Sequence, residues 1–449
     1  MKKDKLVIIG GDAAGMGAAS RIRREQPHRE IVVFERGIHT SYAACGIPYY
    51  VAGMVSSWEN LVVRFPHVFR KKQNIDVRIA HEVMAIDTET KIVKVKNLES
   101  DEIFTESWDQ LLIGTGALPV IPRLEGADAE GVFALSTLQS GIDVLTWMEN
   151  NPVRKAVVAG AGYVGVEMAE ALMERGIETT LIDKAPQVML TMDADMADRI
   201  EEYMKNQGLN VLLSQELLRI EKSADGKVSG IVTSGYQLDA DLVIMGLGVK
   251  PNSMLAKDAG IETGHQDAIL VNQKLETSIP QVWAAGDCAT SWHILKNRQV
   301  FNPLGTVANK HSLVAGINIS GGDAVFPGVL GTAIIRFKEL EIARSGLSEK
   351  EAQEEGIPVV ANTIESTALS SYFPGSEEIA VKLIAEKGSL RIIGGQIVGK
   401  KASGKRIDTI AMAIMTGMTA PQLVNTDLSY APPFSPVWDP VQTAARTLL

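Results

Sequence analysis

Fully apolar runs of four or five residues recur along the chain, each closed by glycine or by an acid. Such runs predict strands buried on both faces, the kind found in parallel sheets covered by helices. Lys5 to Ile9 leads into Gly10-Gly11-Asp12-Ala13-Ala14-Gly15, a helical pattern covers Met16 to Arg24, and a second apolar run, Ile31 to Phe34, closes at Glu35. The order strand, turn, helix, strand, acid returns 150 positions later. There Ala156 to Ala159 runs into Gly160-Ala161-Gly162-Tyr163-Val164-Gly165, a helix extends through Glu174, and Thr179 to Ile182 ends at Asp183.

Further strands running into turns are expected at Leu111 to Ile113 before Gly114-Thr115-Gly116, and at Val282 to Ala285 before Gly286-Asp287. A helix is expected from Val307 to Ile317. Pro119 and Pro122 mark a crossing between domains. From about Phe326 the pattern changes to short strands such as Ala380 to Ile384, a helix start near Ser348 and the Pro-rich stretch Ala431 to Pro436, which reads as an α+β domain.

Composition narrows the partners. Forty-four basic against 54 acidic residues give a net charge of −10 over 449 residues, so no nucleic acid and no acidic lipid surface is expected as a partner. No apolar run approaches the ~18 residues of a membrane helix, and the opening Met1-Lys2-Lys3 before a short apolar run reads as the approach to a strand, not a signal peptide. Two cysteines, Cys45 and Cys288, exclude a disulfide framework and point to a reducing, cytoplasmic compartment. The seven histidines show no metal-ligand spacing and read as surface or packing residues, and no metal is expected.

Two mononucleotide-grip units in one chain imply two dinucleotides. In the second unit, Gly160, Gly162 and Gly165 serve a tight turn, close approach to a pyrophosphate and helix-on-strand packing. Asp183 stands where a carboxylate binds a ribose 2′-hydroxyl, which favours NADH; Lys184 beside it keeps NADPH open. In the first unit, Gly10, Ala14 and Gly15 keep the pattern, but Asp12 takes the second glycine position and brings an acid towards the pyrophosphate. Glu35, Thr115, Gly116 and Asp287 strengthen this unit, since a carboxylate at a strand end accepts hydrogen bonds from the hydroxylated chain of a flavin. The alternative reading of Asp287 is a helix N-cap before Cys288.

Cys45, in Ser41-Tyr42-Ala43-Ala44-Cys45-Gly46-Ile47-Pro48-Tyr49, precedes an expected helix, whose N-terminus would favour thiolate. It is either a redox sulfur or inert packing. Cys288 reads as core packing. The stretches Arg21-Ile22-Arg23-Arg24 and Arg70-Lys71-Lys72 read as solvated helix faces.

Together the two grips, Leu112-Ile113-Gly114-Thr115-Gly116 and Ala285-Gly286-Asp287-Cys288-Ala289 resemble the flavoprotein disulfide reductases over essentially the whole chain. Members of that family carry a C-x4-C centre, whereas here Ser41 and Cys45 have that spacing, which is similar to the single-cysteine branch of CoA-disulfide reductases, NADH oxidases and peroxidases, and persulfide or polysulfide reductases. The resemblance implies an α/β fold of two Rossmann-like dinucleotide-binding domains and a C-terminal α+β dimerisation domain: residues 1–118 with 246–325 for FAD, 119–245 for NAD(P)H, and 326–449 for dimerisation.

For FAD it further implies Arg36, Val83 and Phe434 beside the residues above, and for NAD(P)H Tyr163, swinging aside for the nicotinamide, with Glu167 one turn on. Tyr430-Ala431-Pro432-Pro433-Phe434-Ser435, with Tyr372, is similar to the CoA-disulfide reductase pattern, in which two tyrosines reach the redox cysteine of the partner in a homodimer. Tyr372 and Tyr430 then bind or protonate the leaving thiolate, or else pack in the interface. CoA is the implied substrate, held as a Cys45 mixed disulfide, with Ser41 nearby and Arg23 and Arg24 as candidates for its phosphates. Asp12-Ala13-Ala14, where the oxidases and peroxidases usually carry a histidine, argues against peroxide as acceptor. No rhodanese-like extension follows Leu449, so the expectation of sulfur reduction loses one marker. An oxidase cycling Cys45 through sulfenic acid, or a slowly reduced flavoprotein that docks through its C-terminal domain, are the other readings.

Overall fold

The computed structural model describes residues 4–449, so the reading of Met1-Lys2-Lys3 lies outside the described residues. The chain divides into two compact units, one of Met1–Val120, Ser136–Thr146 and Val249–Val329, the other of Ile121–Leu135, Trp147–Gly248 and Leu330–Leu449. The switch between Val120 and Ile121 falls between the two prolines expected to mark a crossing.

In the first unit, five parallel strands stand in the order Val282–Ala284, Gln110–Ile113, Lys5–Ile9, Glu30–Phe34, Asp76–Arg78. Leu6, Val7, Ile8, Val33, Leu111, Leu112 and Ile113 are wholly buried, as continuous apolar runs require when both faces are covered. Each contributes roughly 1.5–3 kcal/mol relative to an exposed side chain. Against this sheet pack the helices Ala13–Glu25 and Gly305–Ile319. Gly17 and Ser312 mark how closely they approach, because a Cβ on Gly17 would lie 2.4 Å from the Ser312 hydroxyl.

The first helix begins at Ala13, three residues before the expected Met16. Gly10 alone, at φ +107°, makes the reversal, so Ala13 to Gly15 are free to be helical. A second correction concerns Asp287. It sits in a turn followed by the strand Ser291–His293 and caps no helix.

The second unit repeats the first sheet. Its five parallel strands stand in the order Asn210–Leu212, Glu178–Ile182, Lys155–Ala159, Leu242–Met245, Val132–Ala134, with the helix Tyr163–Glu174 after the glycine turn. It also contains an antiparallel sheet in the order Ala333–Phe337, Leu340–Gly346, Ile392–Gly399, Glu378–Glu386, Val359–Thr367. Ser348 caps the Glu349–Glu354 helix through a reciprocal capping box with Glu351. Near this cap a buried lysine, Lys382, meets Asp195 at 2.7 Å, Glu349 at 2.5 Å and Asp193 at 3.4 Å. Among the described residues no helix is long and apolar enough to cross a membrane.

Candidate active site

The glycine turns of the two units share one construction. Gly10 and Gly160 both have φ +107°, and a Cβ there would lie 2.1 Å from the Gly114 carbonyl oxygen and 2.2 Å from that of Gly246. Gly15 and Gly165 lie one helical turn on, where a Cβ would come within 2.0 Å of Gly10 O and 1.7 Å of Gly160 O. The acids correspond as well. Glu35 accepts the Gly11 N–H at 2.6 Å and the Gly37 N–H at 2.7 Å. Asp183 accepts those of Ala161 at 2.7 Å and Ala185 at 2.8 Å.

In the first unit three turns converge. A Cβ on Gly286 would meet Ala14 Cβ at 2.9 Å, and Thr115 donates its hydroxyl to Asn252 O at 2.6 Å while Asn252 Nδ2 donates to Thr115 O at 3.2 Å. Beside this junction, Asp287 Oδ1 is buried without a hydrogen-bond partner, and burial pushes its carboxyl up to about 6. A buried acceptor in that state calls for a donor from outside the chain.

The turn is held from behind by His311. Gly286 N–H donates to its Nδ1 at 3.3 Å, so Nε2 carries the proton and meets Ser291 Oγ at 3.3 Å. Burial lowers this imidazole to about 4, and it stays neutral as this pairing requires. The sequence reading of histidines as packing residues missed this, since nothing near His311 in sequence signals its partners.

Cys45 is exposed, on the 3-10 turn Ala44–Gly46, and the helix that follows, Ile47–Val51, is only five residues long. Cys288 is buried as expected, its thiol donating to Ala285 O at 3.4 Å and Ile113 O at 3.5 Å, and burial pushes it up. Ser41 adopts φ +50° four residues before Cys45. Val83 is buried, and Arg36 is exposed with an ion pair to Glu82 at 3.7 Å.

Arg23 requires a correction. It is 9% exposed, and its guanidinium donates to the carbonyls of Gln26, Pro27 and Asn74 at 3.3, 2.7 and 2.8 Å. Those bonds hold it against the protein's own backbone, so neither a solvated face nor a phosphate site describes it; Arg24 is the exposed member of the pair.

In the second unit Tyr163 opens the helix, with its hydroxyl 3.2 Å from Thr191 Oγ1, and Glu167 lies one turn on. No protein atom comes within 4 Å of a Cβ built on Gly162. Asp183 and Lys184 line an open cavity of about 590 Å³ with Ser214, Glu216 and Ser234. Tyr372 and Phe434 are each 73% exposed and Tyr430 47%, unusual for large aromatic side chains.

Two Rossmann-like sheets with matching glycine turns and strand-end acids define an α/β oxidoreductase of the dinucleotide-binding class. The chain belongs to the pyridine nucleotide-disulphide oxidoreductases: residues 4–304 match that family and residues 332–440 its dimerisation domain. It is 42% identical over 449 residues to a CoA-dependent NAD(P)H sulfur oxidoreductase of Pyrococcus furiosus, covering 100% of both chains. An NADH oxidase of Methanocaldococcus jannaschii is 37% identical, with 99% of this chain and 98% of that one covered. A solved NAD-dependent persulfide reductase from A. fulgidus superposes with a TM-score of 0.95 at 40% identity, over 99% of this chain and 82% of that one.

Proposed function

We propose that this oxidoreductase passes electrons from NAD(P)H through FAD to Cys45 and on to CoA disulfide, or to the persulfide or polysulfide of CoA. One observation carries the reading: an exposed cysteine lies on a turn bound to the cofactor-type glycine turn, while the other cysteine is sealed in the core. That the P. furiosus relative is a CoA-dependent sulfur oxidoreductase and the A. fulgidus one a persulfide reductase supports it.

The residues of the first unit fit FAD. The unpartnered Asp287 Oδ1 suits a hydroxyl of the flavin's ribityl chain, Gly10, Ala14, Gly15, Glu35, Thr115 and Gly116 belong to the glycine turns and strand end of the same unit, and Arg36, Val83 and Phe434 would complete the set of residues that holds the flavin. Bound there, FAD supplies the two-electron relay between a nicotinamide and sulfur. Gly160, Gly162, Gly165, Asp183 and Lys184 hold NAD(P)H. The open space over Gly162 suits a pyrophosphate pressed against the backbone, and Tyr163 and Glu167 border the nicotinamide.

Cys45 is the exchanging sulfur. Its thiolate attacks one sulfur of CoA disulfide; the S–S bond breaks, one CoA leaves as thiolate and takes a proton, and the other remains as a Cys45 mixed disulfide. Two electrons originating in NAD(P)H and one proton then release the second CoA as thiol and restore the Cys45 thiolate. In a homodimer, Tyr372 and Tyr430 of one subunit donate to the leaving sulfur at Cys45 of its partner, and Ser41 and Arg24 border the CoA. The three-domain division at 118/119, 245/246 and 325/326 belongs to this proposal, as does a cytoplasmic location.

The test is the small thiol released when purified protein is denatured and reduced, together with NADH turnover on CoA disulfide. Near-stoichiometric CoA and a turnover lost in Cys45→Ser are expected. Tyr430→Phe lowers that turnover by roughly 10²-fold or more, as expected for a lost proton donor. The M. jannaschii relative favours a second reading, an NADH oxidase. Absence of CoA, with Cys45 recovered as sulfenic acid and NADH consumed against oxygen, would replace the first reading by the second.

A further inference from the structure

Asp12 occupies the place of the second glycine in the first turn, and the function proposed above leaves it without a role. Its side chain makes no capping hydrogen bond to the Ala13–Glu25 helix, and Oδ1 accepts the Tyr42 N–H at 3.0 Å. One residue earlier in each segment, Gly11 O accepts the Ser41 N–H at 3.0 Å. These two bonds join the glycine turn to the loop that carries Cys45.

Backbone bonds hold the far side of the loop. Val63 N–H donates to Ser41 O at 2.8 Å, Ala43 N–H to Leu61 O at 2.8 Å, and Gly46 N–H to Ala43 O at 2.8 Å. Ser41 itself has φ +50°, a left-handed backbone that costs a residue with a side chain on the order of 1 kcal/mol and persists only where its surroundings hold it. Of the bonds to the glycine turn, any sequence would supply the Gly11 carbonyl. Only an acceptor side chain at position 12 supplies the other, and the glycine usual there would supply none.

We propose that Asp12 is a positioning residue for Cys45, its carboxylate fastening the redox loop to the cofactor turn through the Tyr42 N–H. The inference rests on Cys45 being the redox sulfur. It also gives the loop a pH response. Burial pushes the Asp12 carboxyl up to about 7; the Tyr42 and Ala13 N–H groups oppose this, and Glu35 and Asp287 add to it. The groups facing it are Glu35 from the end of the Glu30–Phe34 strand, Asp287 from the turn after Val282–Ala284, and the half-buried Tyr42 of the loop itself. An ionised carboxylate accepts a stronger hydrogen bond than a protonated one, so the loop is held more firmly as pH rises through about 7.

The test compares the protein, reduced with a small thiol and freed of released CoA, with Asp12→Gly and Asp12→Asn treated alike, by hydrogen exchange of peptides spanning residues 38–50 and by iodoacetamide alkylation of Cys45. Asp12→Gly is expected to exchange about tenfold faster there, the equivalent of one lost hydrogen bond, and to alter the alkylation rate. Asp12→Asn keeps an acceptor that does not titrate. Its protection falls below that of the parent at about pH 8 and approaches it at about pH 6, and dividing one rate by the other at each pH removes the intrinsic titration of exchange and thiol. Parent-like exchange in Asp12→Gly, or a parent-to-Asn ratio constant over that range, overturns the proposal. Should Asp12→Gly not fold, the Asn ratio decides alone. If the loop responds as expected while alkylated Cys45 still supports full turnover, the redox reading of Cys45 fails and the positioning role of Asp12 stands.

Discussion

Asp287 pits the stability of the flavin-free protein against its hold on flavin, and Asp287→Asn separates the two. Its carboxyl ionises at about 6 in the folded chain because burial disfavours the charge, against an ordinary value of 3.8. A folded-state value above the unfolded one means that the folded protein binds the extra proton between roughly pH 4 and 6. Stability is therefore unaffected by this group below both values, falls as pH rises through that window, and is reduced in full above about 6. The difference of about 2 units corresponds to ~3 kcal/mol. Asparagine does not titrate, so the substitution should stabilise flavin-free protein by up to ~3 kcal/mol at about pH 7.5 relative to its effect at about pH 4. Urea unfolding midpoints of both proteins across that range measure it. The same substitution should loosen FAD, since a neutral amide oxygen accepts a hydrogen bond roughly half as strongly as a carboxylate; equilibrium dialysis reads this separately. A stability difference that is flat with pH, or that grows towards acid, would refute the argument.

The second turn offers a paired contrast. Gly165→Ala places a methyl 1.7 Å from Gly160 O and should unfold or misorder the unit, seen as lost soluble protein or a Tm lowered by many degrees; Gly162→Ala meets no protein atom within 4 Å and should leave Tm nearly unchanged while raising KM for NAD(P)H. Lys382→Met leaves Asp193, Asp195 and Glu349 clustered without their cation. It should cost roughly 3–5 kcal/mol at neutral pH and less in acid, where those carboxylates protonate, as urea midpoints at two pH values would show.

What the sequence disclosed is what the backbone demands. Gly10 and Gly160 must be glycine to adopt φ +107°, and Gly15 and Gly165 because a helix leans on a carbonyl there; both demands act over a few residues and leave a fixed spacing. The strand-end acids were legible for the same reason. What the sequence concealed depends on partners distant along the chain. Arg23 lies in a run of basic residues that looks solvated, yet its guanidinium reaches Asn74 O, 51 positions away. The partner of Asp12 is a backbone amide 30 positions on, and an amide carries no residue identity to search for. Lys382 finds Asp195 across 187 positions, and the buried ring of His311 lies 25 positions from the amide it accepts. The helix start at Ala13 was hidden by its own composition, because Ala-Ala-Gly reads as turn until a single left-handed glycine before it is seen to make the whole reversal.

The paired amide contacts of Asp183 bear on redesign. Two backbone N–H groups, from Ala161 and Ala185, depend on this one side chain, so the residue expected to recognise a ribose is also a structural brace for the turn. Exchanging it for a small neutral residue to admit a phosphorylated ribose would strand both amides and loosen the loop that must receive the new ligand. A variant that changes coenzyme preference therefore has to supply two replacement acceptors along with the new positive charge. Selection for coenzyme preference at this position alone should keep returning weakened proteins.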